Sequence, residues 1–220
     1  MKIAQRLPDE VLTRLATYHD VLVRLEGEGV ERVQSHELAR ECDVRADRVR
    51  ADLSRIQLKG VKGSGYDVHV LRINLARQLH IEDPRKVLLV GTSARAEAFL
   101  LMVADPPSMV EVVGVFAPPG VEPMGALVGG RPLESFDTLA ATVHAERVRF
   151  AVVATKASEA QATVNALQTV GVTAVLNLSG EVVRRPSGVV VETASPMLSF
   201  KRLSFRAPRR PVGQGTLGLS

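Results

Sequence analysis

The chain has few of the cysteine and aromatic residues that often stabilise small proteins. Its 220 residues include one cysteine, no tryptophan, two tyrosines and six phenylalanines. One cysteine excludes an internal disulfide framework and any zinc cluster built from several cysteines. With so few aromatics, the cores must be built from valine, leucine, alanine and isoleucine. The hydrophobic content of 45% is enough for one large domain or two small ones.

Long apolar runs are also missing. No stretch of the sequence is long enough to span a bilayer, so no membrane partner is expected. The first ten residues, MKIAQRLPDE, lack the apolar segment of a signal peptide. The sequence therefore predicts a soluble protein of the cytoplasm, and a single cysteine is compatible with that reducing compartment. The five histidines have no ligand spacing, so no metal site is expected.

Positive charge is in excess, and its placement is informative. The formal net charge is +4. Residues 1–83 contain 14 basic and 14 acidic residues, residues 84–198 contain 9 and 10, and residues 199–220 contain 5 and none. Six basic residues nevertheless cluster within the neutral first segment: Arg45, Arg48, Arg50, Arg55, Lys59 and Lys62. Such a local patch is typical of nucleic-acid binding, although a solvated helix face gives the same pattern.

The patch lies in a recognisable succession of short elements. Residues 8–26 have apolar residues at helical spacing and predict a first helix. Two short helices follow; Ser35 is predicted to cap the earlier one, and the later, basic one is predicted to begin at Val44. Two short helices with a tight turn between them predict a helix-turn-helix.

A glycine-containing segment, KGVKGSGYDVHV, comes next and predicts a β-wing. A strand is expected to run from it through Tyr66, Val68 and Val70, and a linking helix from Leu71 to Leu79. The first 83 residues are therefore predicted to form a winged-helix DNA-binding domain, which ends before Asp83-Pro84.

From residue 86 onward, apolar strands alternate with amphipathic helices. Strands are predicted at 86–91, 111–116, 148–155, 174–178 and 189–192, and helices at 94–103, 135–144 and 158–170. This alternation predicts an α/β fold in which residues 84–194 form a Rossmann-like, doubly wound parallel sheet. Residues 195–206 predict a short terminal helix with exposed apolar residues, suited to dimerisation, and residues 207–220 predict a flexible tail.

Sequence stretches in both predicted domains resemble the Rex family of bacterial redox-sensing transcriptional repressors. The stretch LPDEVLTRLATYHDVLVRLEGEGVERVQSHELARECDV resembles the family's first helix and helix-turn-helix, and RVRADLS with KGSGYDV resembles its recognition helix and wing. Further matches are VGGRPLESFDTL, AVVAT, GVTAVLNLS and the terminal helix. The resemblance implies a homodimer with exchanged C-terminal helices. It also implies binding to a palindromic operator, from which NADH in the Rossmann domains releases the protein.

The resemblance assigns DNA contacts to the basic patch, with two departures. Arg50 matches the first residue of a basic pair in the family's recognition helix, and Ala51 occupies the second place. Lys62 matches a basic position of the wing, where Val61 and Ser64 replace a lysine and an aromatic residue. The predicted DNA-binding residues remain Arg45, Arg48, Arg50, Arg55, Lys59 and Lys62.

The predicted nucleotide site departs further from the family. The three-glycine fingerprint that cradles a pyrophosphate keeps Gly91, but Ser93 stands at the second glycine and Ala96 at the third. Ala117 replaces the acidic residue that holds the adenine ribose, and Lys156 enters the turn on the nicotinamide side. The candidate cofactor residues are Gly91, Thr92, Ser93, Ala94, Arg95, Ala117, Thr155 and Lys156. Ser195 also replaces a family aspartate before the terminal helix.

Several hypotheses follow from these departures. The preferred one is a Rex-like repressor that binds NAD(H) weakly or not at all. A second is altered ligand choice, with Lys156 or Arg95 pairing with an anion. A third is an NAD-independent partner that forms heterodimers with an intact family member. A Rossmann-fold enzyme is a further alternative, but no catalytic constellation is recognisable and none is expected.

Overall fold

The computed structural model describes residues 7–61, 63–104 and 109–207. The chain divides into two compact units, Met1–Pro84 and Arg85–Ser220. In the described residues no helix is both long and apolar enough to cross a membrane. The same residues contain no group of histidine, cysteine, aspartate and glutamate side chains that could hold a metal ion.

The first unit is a small helical domain with a two-stranded sheet. Its elements are α1 (Asp9–Gly27), β1 (Arg32–Val33), α2 (Ser35–Glu41), α3 (Ala46–Arg55), β2 (Tyr66–Asp67) and α4 (Val68–Leu79). The strands β1 and β2 are antiparallel. Leu15, Tyr18 and Leu22 of α1 are fully buried and form one apolar cluster with Leu53 of α3 and Leu75 of α4. This cluster holds α3 with its other face toward solvent.

Two predicted helix starts are corrected by the structure. Ser35 is the first residue of α2, and Gln34 is the capping residue, because the Glu37 carboxylate accepts a hydrogen bond from the Gln34 amide at 2.6 Å. The basic helix begins at Ala46 rather than Val44.

The strand predicted through Tyr66, Val68 and Val70 is wrong beyond Asp67. The Asp67 carboxylate accepts a hydrogen bond from the Val70 amide at 2.9 Å and caps α4. The linking helix therefore begins at Val68 rather than Leu71. A side-chain cap of this kind stabilises a helix by about 1 kcal/mol, which is enough to override the strand propensity of two valines.

The second unit is built around a seven-stranded sheet. Its elements are β3 (Arg85–Val90), α5 (Ala94–Met102), β4 (Val110–Phe116), β5 (Leu127–Val128), β6 (Arg131–Glu134), a 3-10 turn (Phe136–Thr138), α6 (Leu139–Glu146), β7 (Phe150–Val153), α7 (Ala157–Thr169), β8 (Ala174–Asn177), β9 (Val190–Thr193) and α8 (Pro196–Arg206). The strand order is β5-β6-β4-β3-β7-β8-β9, and every neighbouring pair is parallel except β5 with β6.

The parallel α/β sheet predicted from the sequence is confirmed. Apolar clusters cover both of its faces; Leu88 and Val90 belong to one, and Val87 and Leu89 to the other. The antiparallel pair β5–β6 was not predicted, because its strands are only two and four residues long and β6 contains a proline and two charged residues. The element expected at 135–144 divides into the 3-10 turn and α6.

The last helix, α8, buries none of its side chains within this chain. Ser195 precedes it and accepts a hydrogen bond from the Leu198 amide at 3.3 Å. Five large apolar side chains of α8 are 50% to 93% exposed: Met197, Leu198, Phe200, Leu203 and Phe205. The tail predicted at 207–220 lies, from residue 208 on, outside the described residues.

Candidate nucleic-acid interface and nucleotide site

The helix α3 has one buried and one basic face. Val49 and Leu53 are fully buried, whereas Arg48, Arg50 and Arg55 are exposed, as are the outward positions Asp47, Ala51 and Ser54. Arg45 precedes the helix, and its guanidinium lies 3.2 Å from the Asp47 carboxylate. This ion pair is well exposed, so solvent screens it and leaves the Arg45 cation available to a stronger anion.

A buried ionic network ties α3 to α1, and sequence reasoning missed it. The Asp52 side chain is completely buried and accepts hydrogen bonds from Arg14 Nε at 2.6 Å and Nη2 at 2.9 Å. The Tyr18 hydroxyl donates to the same carboxylate at 3.1 Å. Burial alone would raise the pKa of Asp52, but the bonds from Arg14 and Tyr18 outweigh it and lower the pKa below its usual range. Asp52 therefore stays ionised, and the paired Arg14 guanidinium offsets its negative charge inside the domain.

The segment predicted as a wing is a tight turn closed by backbone hydrogen bonds. The Val61 amide donates to the Gly65 carbonyl at 2.8 Å, and the Gly65 amide returns a bond to Val61 at 2.9 Å. Gly65 has a φ of +69°, and a Cβ on it would lie 2.4 Å from the Val33 carbonyl oxygen, so only glycine fits. Arg32 Nε donates to the Ser64 carbonyl at 2.8 Å. Lys62 lies outside the described residues.

A groove of about 400 Å³ separates the exposed face of α3 from this turn. Among its lining residues are Ser35, Arg50, Lys59 and Gly60. Nη1 of Arg50 donates a hydrogen bond to Oγ of Ser35 at 3.0 Å. The structure thus brings Arg50 and Lys59 to one groove, while Arg45, Arg48 and Arg55 do not line it.

In the second unit, the first glycine of the nucleotide fingerprint is required by geometry. Gly91 follows β3 with a φ of +136°, and a Cβ there would lie 2.3 Å from the Ala154 carbonyl oxygen. The chain can make this close approach between the ends of β3 and β7 only with glycine. The tight turn of a dinucleotide-binding domain is therefore present.

Ser93, at the second glycine position, is engaged with the protein itself. Its hydroxyl donates to the Ala154 carbonyl at 2.6 Å and links the turn after β3 to the end of β7. The Cβ of Ser93 stands at the start of α5, where the fingerprint glycine lets the backbone approach a pyrophosphate. Thr92, Ala94 and Arg95 are exposed around it.

Ala117 directly follows β4, and its methyl side chain offers no hydrogen-bonding group to a ribose. It is completely buried in an apolar cluster with Val115 and Ala96, and its amide donates to the Glu134 carbonyl at 2.8 Å. Ribose hydroxyls are held by a carboxylate at this position in dinucleotide-binding domains.

Two cations lie at the carboxyl edge of the sheet, away from Ala117. A Cβ on Gly180, after β8, would lie 3.5 Å from Nη2 of Arg95, so this guanidinium reaches across the end of β7. Lys156 is exposed before α7, where its amide donates to the Glu159 carboxylate at 3.3 Å. Thr155 is 1% exposed, and its hydroxyl donates to the Lys156 carbonyl at 3.1 Å.

Known proteins match the chain over most of its length. A family model described as a putative DNA-binding protein N-terminus matches residues 6–54. The redox-sensing transcriptional repressor Rex of Thermus thermophilus is 31% identical over 202 residues, covering 91% of this chain and 93% of that protein. The Rex protein of Streptomyces coelicolor is 29% identical over 205 residues, covering 93% of this chain and 79% of that protein.

A solved structure has the same fold. The crystal structure of RSP in complex with beta-NAD+ and operator DNA superposes with a TM-score of 0.82 and 23% sequence identity, covering 92% of this chain and 93% of that chain. RSP is described as a Rex-family repressor. The sequence identity to the Thermus protein extends over nearly all of both chains and shows the family. This chain belongs to the redox-sensing transcriptional repressors named Rex.

Proposed function

We propose that this protein is a transcriptional repressor that binds operator DNA as a homodimer through α3 and the turn after it. The observation that carries the proposal is the groove between these two elements, with Arg50 and Lys59 on its sides. An exposed basic helix beside a basic turn supplies both base-edge donors and phosphate contacts. A dimer places two such helices about one turn of DNA apart, which suits a palindromic operator.

The names of the relatives support this assignment. The Thermus and Streptomyces proteins are named redox-sensing repressors, and RSP was crystallised with operator DNA. The six basic residues proposed as DNA contacts are Arg45, Arg48, Arg50, Arg55, Lys59 and Lys62. Asp52 does not oppose them, because its charge is neutralised inside the domain by Arg14.

Variants of the groove test the DNA-binding proposal. The operator is first selected from random duplex DNA with the full-length protein. Arg50→Ala is expected to weaken operator binding by about 1–3 kcal/mol, the value of a good base contact. Arg185→Ala removes an exposed arginine from the second unit and serves as the control. Unchanged affinity of both Arg50→Ala and Lys62→Ala would contradict the proposal.

We further propose that the second unit binds NAD(H) weakly or not at all. Ser93 and Ala117 carry this proposal: the first places a Cβ where pyrophosphate must approach, and the second removes the ribose carboxylate. Gly91 preserves the turn but supplies neither contact. RSP was crystallised with NAD+, so the proposal predicts a difference between the two proteins.

The placement of the two cations argues against a simple exchange of NAD(H) for its 2′-phosphorylated form. A 2′-phosphate would lie near the end of β4, where the adenine ribose binds. Arg95 instead reaches toward the loop after β8, and Lys156 follows β7; both lie across β3 from β4. A thermal-shift panel of NADH, NADPH, acyl-CoA and adenine nucleotides tests this. Stabilisation by NADPH alone would contradict it.

A further inference from the structure

We propose that Ser35 is a positioning residue for Arg50, and that together they read one guanine in each half of the operator. The inference rests on the DNA-binding function proposed above and names a specificity determinant of that same surface. It is carried by the hydrogen bond from Nη1 of Arg50 to Oγ of Ser35, which spans 3.0 Å between α3 and α2.

This bond holds one corner of the guanidinium and leaves the opposite edge available. The Nε–H and one N–H of Nη2 are parallel donors on that edge. Within residues 7–61, 63–104 and 109–207, neither nitrogen has a hydrogen-bond partner. Two parallel donors fit O6 and N7 of guanine in the major groove, which is the commonest specific contact that arginine makes with DNA.

The backbone around Ser35 is itself fixed. The preceding residue, Gln34, donates its amide to the Glu37 carboxylate at 2.6 Å and its side-chain amide to the Gly63 carbonyl at 3.2 Å. The start of α2 is thereby tied both to its own first turn and to the turn after α3. An arginine restrained by such a support loses less side-chain entropy when DNA binds.

The surroundings of Arg50 favour base readout over a diffuse phosphate contact. Lys59 and Gly60 line the same groove on its other side, where an ammonium suits a phosphate. The groove therefore offers separate groups for the two tasks. A planar guanidinium oriented by a hydroxyl provides direction, and the lysine provides charge.

A double-mutant cycle on the selected operator tests the pairing. Ser35→Ala is expected to weaken binding roughly 3- to 10-fold, because an unsupported Arg50 side chain must be ordered when DNA binds. In the Arg50→Ala background the same change is expected to have no effect, because Ser35 acts through Arg50. Ser35→Thr keeps the hydroxyl and is expected to bind with nearly the affinity of the unmodified protein.

A modified base tests the contact itself. Replacing each operator guanine in turn by 7-deazaguanine removes the N7 acceptor. One position is expected to lower the affinity of the unmodified protein several-fold and to leave that of Arg50→Ala unchanged. Ser35→Ala is expected to show a smaller penalty at that position.

Three outcomes would overturn the inference. An equal effect of Ser35→Ala with and without Arg50 would show that the hydroxyl acts independently. A lack of sensitivity to 7-deazaguanine at every position would assign Arg50 to phosphate. Failure of the unmodified protein to select any sequence would instead refute the DNA-binding function and this inference with it.

Discussion

Asp52 is a fully buried carboxylate in the middle of a basic helix, and its partners decide its effect. Arg14 reaches it from α1 through two hydrogen bonds, and Tyr18 adds a third. Burial is the main reason that the pKa of Tyr18 is raised, with the Asp52 carboxylate adding to it. The phenol therefore stays a donor at every ordinary pH. The three residues fix the angle at which α3 presents its exposed face.

Asp52→Asn is expected to destabilise the protein by about 3 kcal/mol, because removing one partner of a buried pair leaves the other uncompensated. Urea unfolding followed by circular dichroism measures this. Asp47→Asn is a matched control on the same helix, since its carboxylate is exposed and forms an exposed ion pair with Arg45. An equal loss in both variants would contradict the structural role assigned to Asp52.

The lowered pKa of Asp52 also predicts an acid dependence of stability. In the folded state the Asp52 carboxyl stays ionised at pH values below its ordinary pKa. Its contribution to the free energy of unfolding is therefore complete above about pH 4. It is then lost as the pH falls through the lower, folded-state pKa. Unfolding free energies measured between neutral pH and acid should decline less steeply in Asp52→Asn. Parallel declines would assign the acid sensitivity to other carboxylates.

Ser93 can be tested by a pair of substitutions that separate its hydroxyl from its Cβ. Ser93→Gly restores the fingerprint glycine and is expected to tighten NADH binding about tenfold, or about 1.4 kcal/mol. Ser93→Ala also loses the bond to Ala154 but keeps the Cβ, and no gain is expected. Calorimetric titration of both variants measures the difference. An equal gain in both variants would implicate the hydroxyl, which both of them lack, rather than the Cβ.

At the scale of elements, hydrophobic patterning predicted five of the seven strands of the large sheet within a few residues, and missed β5 and β6. The start of α4 was predicted wrongly because a single capping carboxylate, Asp67, outweighs the strand propensity of Val68 and Val70. The pair β5–β6 has no periodicity to detect. The turn between the two strands requires a glycine at Gly129, because a Cβ there would lie 2.8 Å from a Leu100 methyl group.

The helix α8 buries none of its side chains within a single chain. Its apolar side chains are exposed, and the partner proposed for them is a second copy of the protein. Phe200→Lys is expected to convert the dimer to monomer, measured by light scattering after gel filtration. Ser199→Lys places the same charge on another side of the helix and is the control. A dimer that persists in Phe200→Lys would contradict this assignment.

For the whole molecule, the sequence indicated the folds of both units because each has a strong pattern. Apolar strands alternating with amphipathic helices predicted the parallel sheet, and two short helices with a cluster of basic residues predicted the helix-turn-helix. It could not reveal the long-range contacts that define the sites. The bond between Arg50 and Ser35 joins residues 15 apart, and the bond between Ser93 and Ala154 joins residues 61 apart. Neither pairing has a local signal, because both depend on how distant elements pack.

We propose that the protein retains the repressor architecture while its nucleotide site has lost affinity for NAD(H). Titration of the full-length protein with NADH in a calorimeter at moderate salt measures this affinity. We expect no detectable heat, or a dissociation constant far above the micromolar range. Binding at micromolar concentration or tighter, about −8 kcal/mol, would contradict it and show that Ser93 and Ala117 are tolerated in a working redox sensor.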